Sequence, residues 1–210
     1  MSTPKKPAIP EILEVGLKDK KILDEIIIDE RSLVDLDLSK TRARQIKLKE
    51  SSFVSVDFEG SVLEEIEISN MSLKKCNFAN TKLSEGNLDR VEFISSRLTG
   101  IDFADSIIHN TLFEECKINL SNFRFTKFKD VVFKDCDLEE ADFLGADLSE
   151  IEFNSCNLTK AQFSNAKLHG TDFRTSQISG IKIQTTNMRG IIISPEQVMD
   201  IVMLMGIEVK

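Results

Sequence analysis

Tryptophan and tyrosine are absent from the 210 residues, and histidine occurs only twice. A single-strand binder stacks bases on aromatic side chains, and here phenylalanine alone could serve. Basic charge is short as well: 27 Lys and Arg stand against 35 Asp and Glu, for a net charge of −8. A sequence-independent grip on phosphate backbone needs the opposite sign, so direct nucleic-acid binding is not expected. No apolar run reaches membrane-spanning length, and the opening MSTPKKPAIP lacks the apolar core of a signal peptide. The expected location is therefore the cytosol, with no membrane contact. The cysteines (Cys76, Cys116, Cys136, Cys156) form no CxxC or Cys/His pattern, which argues against zinc. A phosphate-cradling glycine loop is missing, as is a nucleophile with a recognisable base. No catalytic residue, cofactor or metal ligand is assigned, and an enzyme is not expected.

What is present is a count of five. From Leu33 to Ile193 every fifth residue is apolar, in one unbroken register of 33 positions: 12 Leu, 13 Phe, 6 Ile, Met188 and Ala43. Five matches neither the helical period of 3.6 nor the strand period of 2, so it marks a solenoid of short stacked units. Two residues before each of these centres lies a second inward position, small or β-branched, with Arg31 its one charged occupant. The three remaining positions carry nearly all the charge. Each unit thus reads as a very short extended segment followed by a corner.

A slower period sets the number of sides. Phe93, Phe113, Phe133, Phe153 and Phe173 recur every twenty residues, and Phe103, Phe123, Phe143 and Phe163 form a second column offset by ten. Twenty residues are four units, so the coil has four sides with the two Phe columns opposite each other. The expected architecture is an all-β solenoid, a quadrilateral β-helix of about eight coils. Residues 1–30 form a lead-in and cap, 31–193 the repeat, and 194–210 a C-terminal helix and short strand. Within the lead-in, Glu11 to Asp24 is a candidate short helix, and Leu23 and Ile28 already fall in the register.

The same arithmetic sorts the candidate sites. All four cysteines take the inward position on one side and are expected to be buried and structural. His109 and His169 point outward three coils apart, roughly 14 Å, too far to share a metal. The carboxylate pairs Asp102/Asp105 and Glu139/Glu140 sit on a convex rod without a cleft. Outward Thr99, Thr159, Thr175 and Thr185 make no column, which argues against an ice-binding face. Outward Leu112 and Val132 stack in adjacent coils, with Ile107, Leu120 and Phe125 on other sides; scattered surface apolar residues account for them.

Two features remain. Between Asp135 and Thr159 there is no Lys or Arg, while Asp135, Asp137, Glu139, Glu140, Asp142, Asp147, Glu150 and Glu152 lie there. On a four-sided coil these eight acids wrap the rod as a belt. At the other feature, Ser194-Pro195-Glu196-Gln197 combines an N-cap, a proline at the first helical position and a capping-box Gln. The helix that follows runs to Gly206, with Asp200 as its one polar residue. Such a helix needs cover on two sides, one from the last coil and one from a second copy. Val198, Ile201, Val202, Met205, Ile207 and Val209 are the expected dimer contacts.

These units resemble the pentapeptide repeat family, whose pattern is A(D/N)Lxx: Ala141-Asp142-Phe143, Ala146-Asp147-Leu148 and Cys156-Asn157-Leu158 match it directly. The resemblance covers about residues 31–193, and it implies a right-handed coil. LTGIDFADS (98–106), LFEECK (112–117), SNFRFTKF (121–128), SPEQ and LMGIEV are similar to Qnr-like pentapeptide proteins of Gram-positive bacteria. That likeness implies a non-enzymatic, dimeric DNA mimic that binds DNA gyrase and topoisomerase IV and protects them from fluoroquinolones. The loops that interrupt the repeats of many Qnr proteins are missing here. The alternative is a scaffold for another cytosolic protein, docking through Leu112/Val132 or the N-terminal segment.

Overall fold

The computed structural model describes residues 3–17, 21–149 and 151–208. Its elements are β1 (Glu14–Val15), β2 (Ile27–Asp29), β3 (Arg31–Val34), β4 (Arg42–Arg44), β5 (Lys47–Val54), β6 (Val62–Glu64), β7 (Glu67–Lys74), β8 (Asn87–Ile94), β9 (Ile107–Glu114), β10 (Lys127–Lys134), β11 (Ile151–Asn154) and α1 (Val198–Leu204). The pairings are parallel, and beyond β1 each joins residue i to i+20, as in Phe93↔Phe113 and Phe133↔Phe153. The chain therefore closes one turn every four units and stacks each turn on the last. We number the sides by their centres: side one holds Leu33 to Phe173, side two Leu38 to Ile178, side three Ala43 to Ile183, and side four Leu48 to Leu168. Strands β3, β5, β7, β8, β9, β10 and β11 climb side one in succession, giving about seven turns.

The Phe columns form the core. On side one the rings of Phe93, Phe113 and Phe133 stack at 4.9 and 4.6 Å; on side three Phe123, Phe143 and Phe163 stack at 5.0 and 5.2 Å. The two columns meet edge-on, as in Phe133–Phe143 at 6.4 Å and 86°. Stacked along the axis and T-shaped across it, each ring uses both geometries that its quadrupole favours.

The inward position before each centre does more than stay small. Ser61 Oγ donates to Leu38 O, Thr81 Oγ1 to Phe58 O, Thr126 Oγ1 to Phe103 O and Ser176 Oγ to Phe153 O. In each case the acceptor is the centre carbonyl of the layer below, 23 residues back. Each of these carbonyls also accepts from a second donor, as Phe58 O does from Ser61 N–H at 3.0 Å, so the hydroxyl bond contributes about 0.5–1.5 kcal/mol. Ser121 occupies the same position with its hydroxyl unbonded.

The corners explain where the register runs out. The residue two after a centre adopts positive φ turn after turn, between +46° and +60° at the non-glycine corners from Glu25 to Asn165. Such a left-handed residue is disfavoured for any side chain and most of all for a β-branched one. Polar residues and Gly fill nearly all these places, with Leu120 and Phe125 the exceptions, and none of the left-handed corners is β-branched. Thr175 and Thr185 fall at corner positions too, and neither has positive φ. Isolated bridges, which join the sides from Asp37↔Asp57 onward, continue to Asp172↔Ile192, and Thr185–Asn187 winds into a 3-10 turn. Strand formation thus ends at β11, short of the eight coils that the apolar register alone suggests, and the left-handed corner lapses at Thr175 and Thr185.

At the N-terminal end two expectations are corrected. No helix forms among the described residues of 11–24; β1 instead pairs in parallel with β3, and Glu14 N–H and Gly16 N–H donate to Glu30 O and Ser32 O at 2.9 Å. The open edge of the first coil supplies unpaired carbonyls, and an extended segment satisfies them where a helix could not. Glu14 also pairs with Arg31, which accounts for the one charge at an inward position. Leu23 is 58% exposed and Ile22 is buried in its place. With no coil beneath it, this segment is not held to the stacked count.

At the other end Gln197 is buried and plugs the stack. Its Oε1 accepts from Ser194 N–H at 2.9 Å, the capping-box bond, while Nε2 donates to Phe173 O and Ser176 O at 2.7 and 2.6 Å. Ser176 O would otherwise await a further coil, while Phe173 O also accepts from Ser176 N–H at 2.9 Å.

Candidate functional site

The belt acids lie on consecutive sides and corners of one turn. Asp135 is at the corner after side one, Asp137 faces out from side two, and Glu139 and Glu140 make the next corner. Asp142 faces out from side three, Asp147 from side four and Glu152 from side one. Glu150 lies outside the described residues. Stacking brings them partners that the linear sequence places far away. Lys160, twenty residues after Glu140, reaches it at 3.4 Å and Glu139 at 3.6 Å. Lys167 meets Asp147 at 2.7 Å, Arg124 meets Asp142 at 3.6 Å, and Asn157 Nδ2 donates to Asp137 at 3.0 Å. Hydrogen bonding to Glu140 raises the Lys160 ammonium above its ordinary range. Partial burial works against ionisation of Asp147, yet Lys167 and Ser149 hold its carboxyl below the usual value. Asp135 and Glu152 have no cation within ion-pair distance among the described residues.

The C-terminal helix divides its apolar residues between two surroundings. Ile201 and Leu204 pack against the chain's own core. Val198, Met199, Met203, Met205 and Ile207 are exposed, and Val202 is half-buried. Met199 and Met203 thus join the exposed face, while Ile201 is turned to its own coil. Val209 lies outside the described residues.

The N-terminal segment runs along the rod, a placement the sequence reading missed. Ala8 N–H donates to Asn70 Oδ1 at 3.1 Å and Lys5 N–H to Asn110 Oδ1 at 3.5 Å, two coils further on. Thr3, Pro4, Lys5 and Lys6 lie over side one and enclose a cavity of about 270 Å³ with Glu92, Asn110, Leu112, Val132, Glu152 and Asn154. Val132, outward on its strand, is only 9% exposed beneath them. The Leu112/Val132 strip is therefore the seat of the chain's own lead-in and not a set of scattered surface residues.

Two apolar residues stay in the open at successive corners, Leu120 (57% exposed) and Phe125 (50%). Every other described corner is polar or glycine. The Phe125 ring lies on Gly145 of the next coil, where a methyl group would come within 2.6 Å of Cδ1 and Cε1. A side chain at position 145 would evict the ring.

The cysteines are buried and free, with Cys116, Cys136 and Cys156 in successive layers. Each Sγ points at a centre carbonyl below, Cys136 at Phe113 O and Cys156 at Phe133 O, both at 3.3 Å. Burial pushes the Cys76 thiol up to about 11. Cys116 and Cys156 are raised by hydrogen bonding to Cys136 between them and by burial. Hydrogen bonds from Cys116 and Cys156 lower Cys136 between them, while the three raised thiols are poor nucleophiles. His169 rests on Gly190, three coils from His109. Among the described residues no group of His, Cys, Asp and Glu is placed to hold a metal, and no helix is long and apolar enough to cross a membrane.

Parallel layers twenty residues apart, four left-handed corners to a turn and a Leu/Phe centre on each side define a β-solenoid of five-residue units. The chain belongs to the pentapeptide repeat family: the family's "Pentapeptide repeat region" matches residues 46–123 and 106–183. Proteins of this family are in general non-enzymatic structural or interaction proteins. Among solved structures, HetL of the cyanobacterium Nostoc, a pentapeptide repeat protein involved in regulating heterocyst differentiation, is 18% identical over 81% of this chain and 90% of its own, with a TM-score of 0.40. A trypsin-treated variant of QnrB1, a plasmid-mediated fluoroquinolone resistance protein, is 11% identical over 90% of this chain and 98% of its own, with a TM-score of 0.40. Full-length QnrB1 is 20% identical over 87% and 99%, with a TM-score of 0.26. No curated protein sequence matches the chain.

Proposed function

We propose that the chain is a non-enzymatic cytosolic binding protein whose rod imitates duplex DNA and engages DNA gyrase or topoisomerase IV, modulating the enzyme or shielding it from fluoroquinolones. The observation that carries this reading is the girdle of acids on one turn, from Asp135 to Glu152, with no Lys or Arg of its own. A ring of negative charge on a narrow rod suits a basic DNA-binding saddle and would speed encounter with it. The pairing of Glu139, Glu140 and Asp147 with lysines of the next turn lowers that charge, so the girdle favours orientation over raw affinity. Two copies joined through Val198, Met199, Met203, Met205 and Ile207 would carry one girdle on each side of the two-fold axis.

Supercoiling by gyrase, with and without the purified protein, tests the reading. Wild type is expected to alter supercoiling or its inhibition by a fluoroquinolone. The D137N/E139Q/E140Q/D142N variant is expected to weaken that effect about tenfold or more, with the loss growing at low salt. A variant as active as wild type would refute the girdle assignment, and an inert wild type toward both enzymes would refute the larger proposal. Solution mass checks the dimer: Met203→Glu is expected to give monomers. The scaffold alternative draws on Leu120 and Phe125, whose exposure serves nothing within the rod, and recovery of a different protein with wild type but not with Phe125→Asn would favour it.

A further inference from the structure

We propose that side one, with the corner beside it, is a docking groove for extended, proline-containing basic segments, and that residues 3–10 occupy it in cis. The geometric basis is a match of two periods. Pro4, Pro7 and Pro10 stand at every third position and fix φ near −65°, which sets up a left-handed extended helix of three residues per turn. That helix rises about 3.1 Å per residue, so one turn advances ~9.3 Å. Two coils of the rod, at a strand spacing of about 4.8 Å, advance ~9.6 Å. Amides three residues apart thus meet corners two coils apart. Lys5 N–H to Asn110 and Ala8 N–H to Asn70 are these contacts, and Asn70 and Asn110 are both left-handed corners of one column.

Recognition then has three parts. The corner Asn oxygens read backbone N–H at every third residue, the edge left free by the prolines. Leu112 and Val132 offer an apolar floor. Glu92 and Glu152 line the same groove as the exposed Lys5 and Lys6, and their charge favours a basic segment there at longer range than an ion pair. Thr3 to Lys6 border an open groove of about 270 Å³, which leaves space beside the resident segment for bulkier side chains. Among the described residues 3–10 these two are the hydrogen bonds that hold the segment to the rod, so a competing segment in trans can displace it.

A labelled peptide TPKKPAIPEI (residues 3–12) tests this on the full chain. Against wild type the cis segment competes and binding is weak. In the K5E/K6E chain the resident segment is repelled by Glu92 and Glu152, and the peptide is expected to bind at least tenfold tighter than to wild type. The peptide carrying Lys5→Pro and Ala8→Pro keeps the extended shape, loses both donors and is expected to lose binding. Equal binding of the two peptides, or no gain in a K5E/K6E chain that melts like wild type, would overturn the proposal. Amide exchange on the unaltered protein is an independent arm: Lys5 and Ala8 should exchange more slowly than Lys6, and uniform fast exchange would refute the ladder.

Discussion

Truncating Phe133 to Ala should weaken the fold more than the same change at Phe173, although both side chains are fully buried. The Phe133 ring stacks on Phe113 and Phe153 at 4.6 and 5.6 Å and meets Phe123, Phe128 and Phe143 at 5.9, 6.2 and 6.4 Å. Phe173, on the last strand-like layer, meets only Phe153 and Phe163, at 5.8 and 5.6 Å. Loss of a buried Phe side chain costs about 3–5 kcal/mol, with the spread set by how far the site can collapse. A lesion between two complete layers cannot collapse, whereas at Phe173 the C-terminal cap can settle inward. Ring pairs add about 0.5–1.5 kcal/mol each. We therefore expect Phe133→Ala near the top of the range and Phe173→Ala near the bottom, a gap of roughly 1–2 kcal/mol. The chain lacks Trp and Tyr, so urea unfolding has to be followed by far-UV circular dichroism. A solenoid couples only neighbouring layers, and the mid-stack lesion should also lower the slope of the transition by uncoupling its two halves. Equal losses at the two positions would refute the layer-by-layer account of the core.

Three further outcomes follow from the same geometry. Cys116, Cys136 and Cys156 can all become Ser with a change below about 1 kcal/mol, because Ser96 and Ser176 already make the same bond to the carbonyl below; a larger fall in the urea midpoint would show that the thiols pack in a way Ser cannot. At the corner Glu85, φ +60°, Glu85→Thr should destabilise by about 1–2 kcal/mol while Glu85→Gly is neutral or better; thermal melts in the reverse order would contradict the corner rule. Gly145→Ala should displace the Phe125 ring and cost about 1–3 kcal/mol, and combining it with Phe125→Ala should recover the part due to the clash; strict additivity in a double-mutant cycle would place the cost in the backbone alone.

The fold was legible because burial imposes a period and a period survives in the sequence. Phe93 to Phe173 and Phe103 to Phe163 announce four sides, and the cysteines fall inside for the same reason. Backbone requirements left a fainter trace. The left-handed corners take polar residues of many kinds, Gly, and even Leu120 and Phe125, so the signal lay in what is missing there: β-branched residues until Thr175. Reading that absence would have located where the left-handed corner lapses, at Thr175 and Thr185. The hydroxyl-to-carbonyl bonds were similarly hidden, since Ser, Thr and Cys look merely small until a partner 23 residues back is considered.

Charge was the hardest property to read, and the reason is geometric. A linear scan finds no base between Asp135 and Thr159, but in this solenoid the neighbours of a residue are i±20, not i±4. At that offset Glu140 meets Lys160 and Asp147 meets Lys167, while Glu114 meets Lys134 at 2.5 Å one turn earlier. The apparent charge of a segment must therefore be compared with the segments one turn away before a surface is assigned to it. The N-terminal residues obey yet another metric, three residues to two coils, which no repeat count reveals because they lie across the layers. Only by that route do Lys5 and Lys6 come to line one groove with Glu92 and Glu152, and it is there that displacement of a single extended segment changes both the charge and the apolar character of one side of the rod.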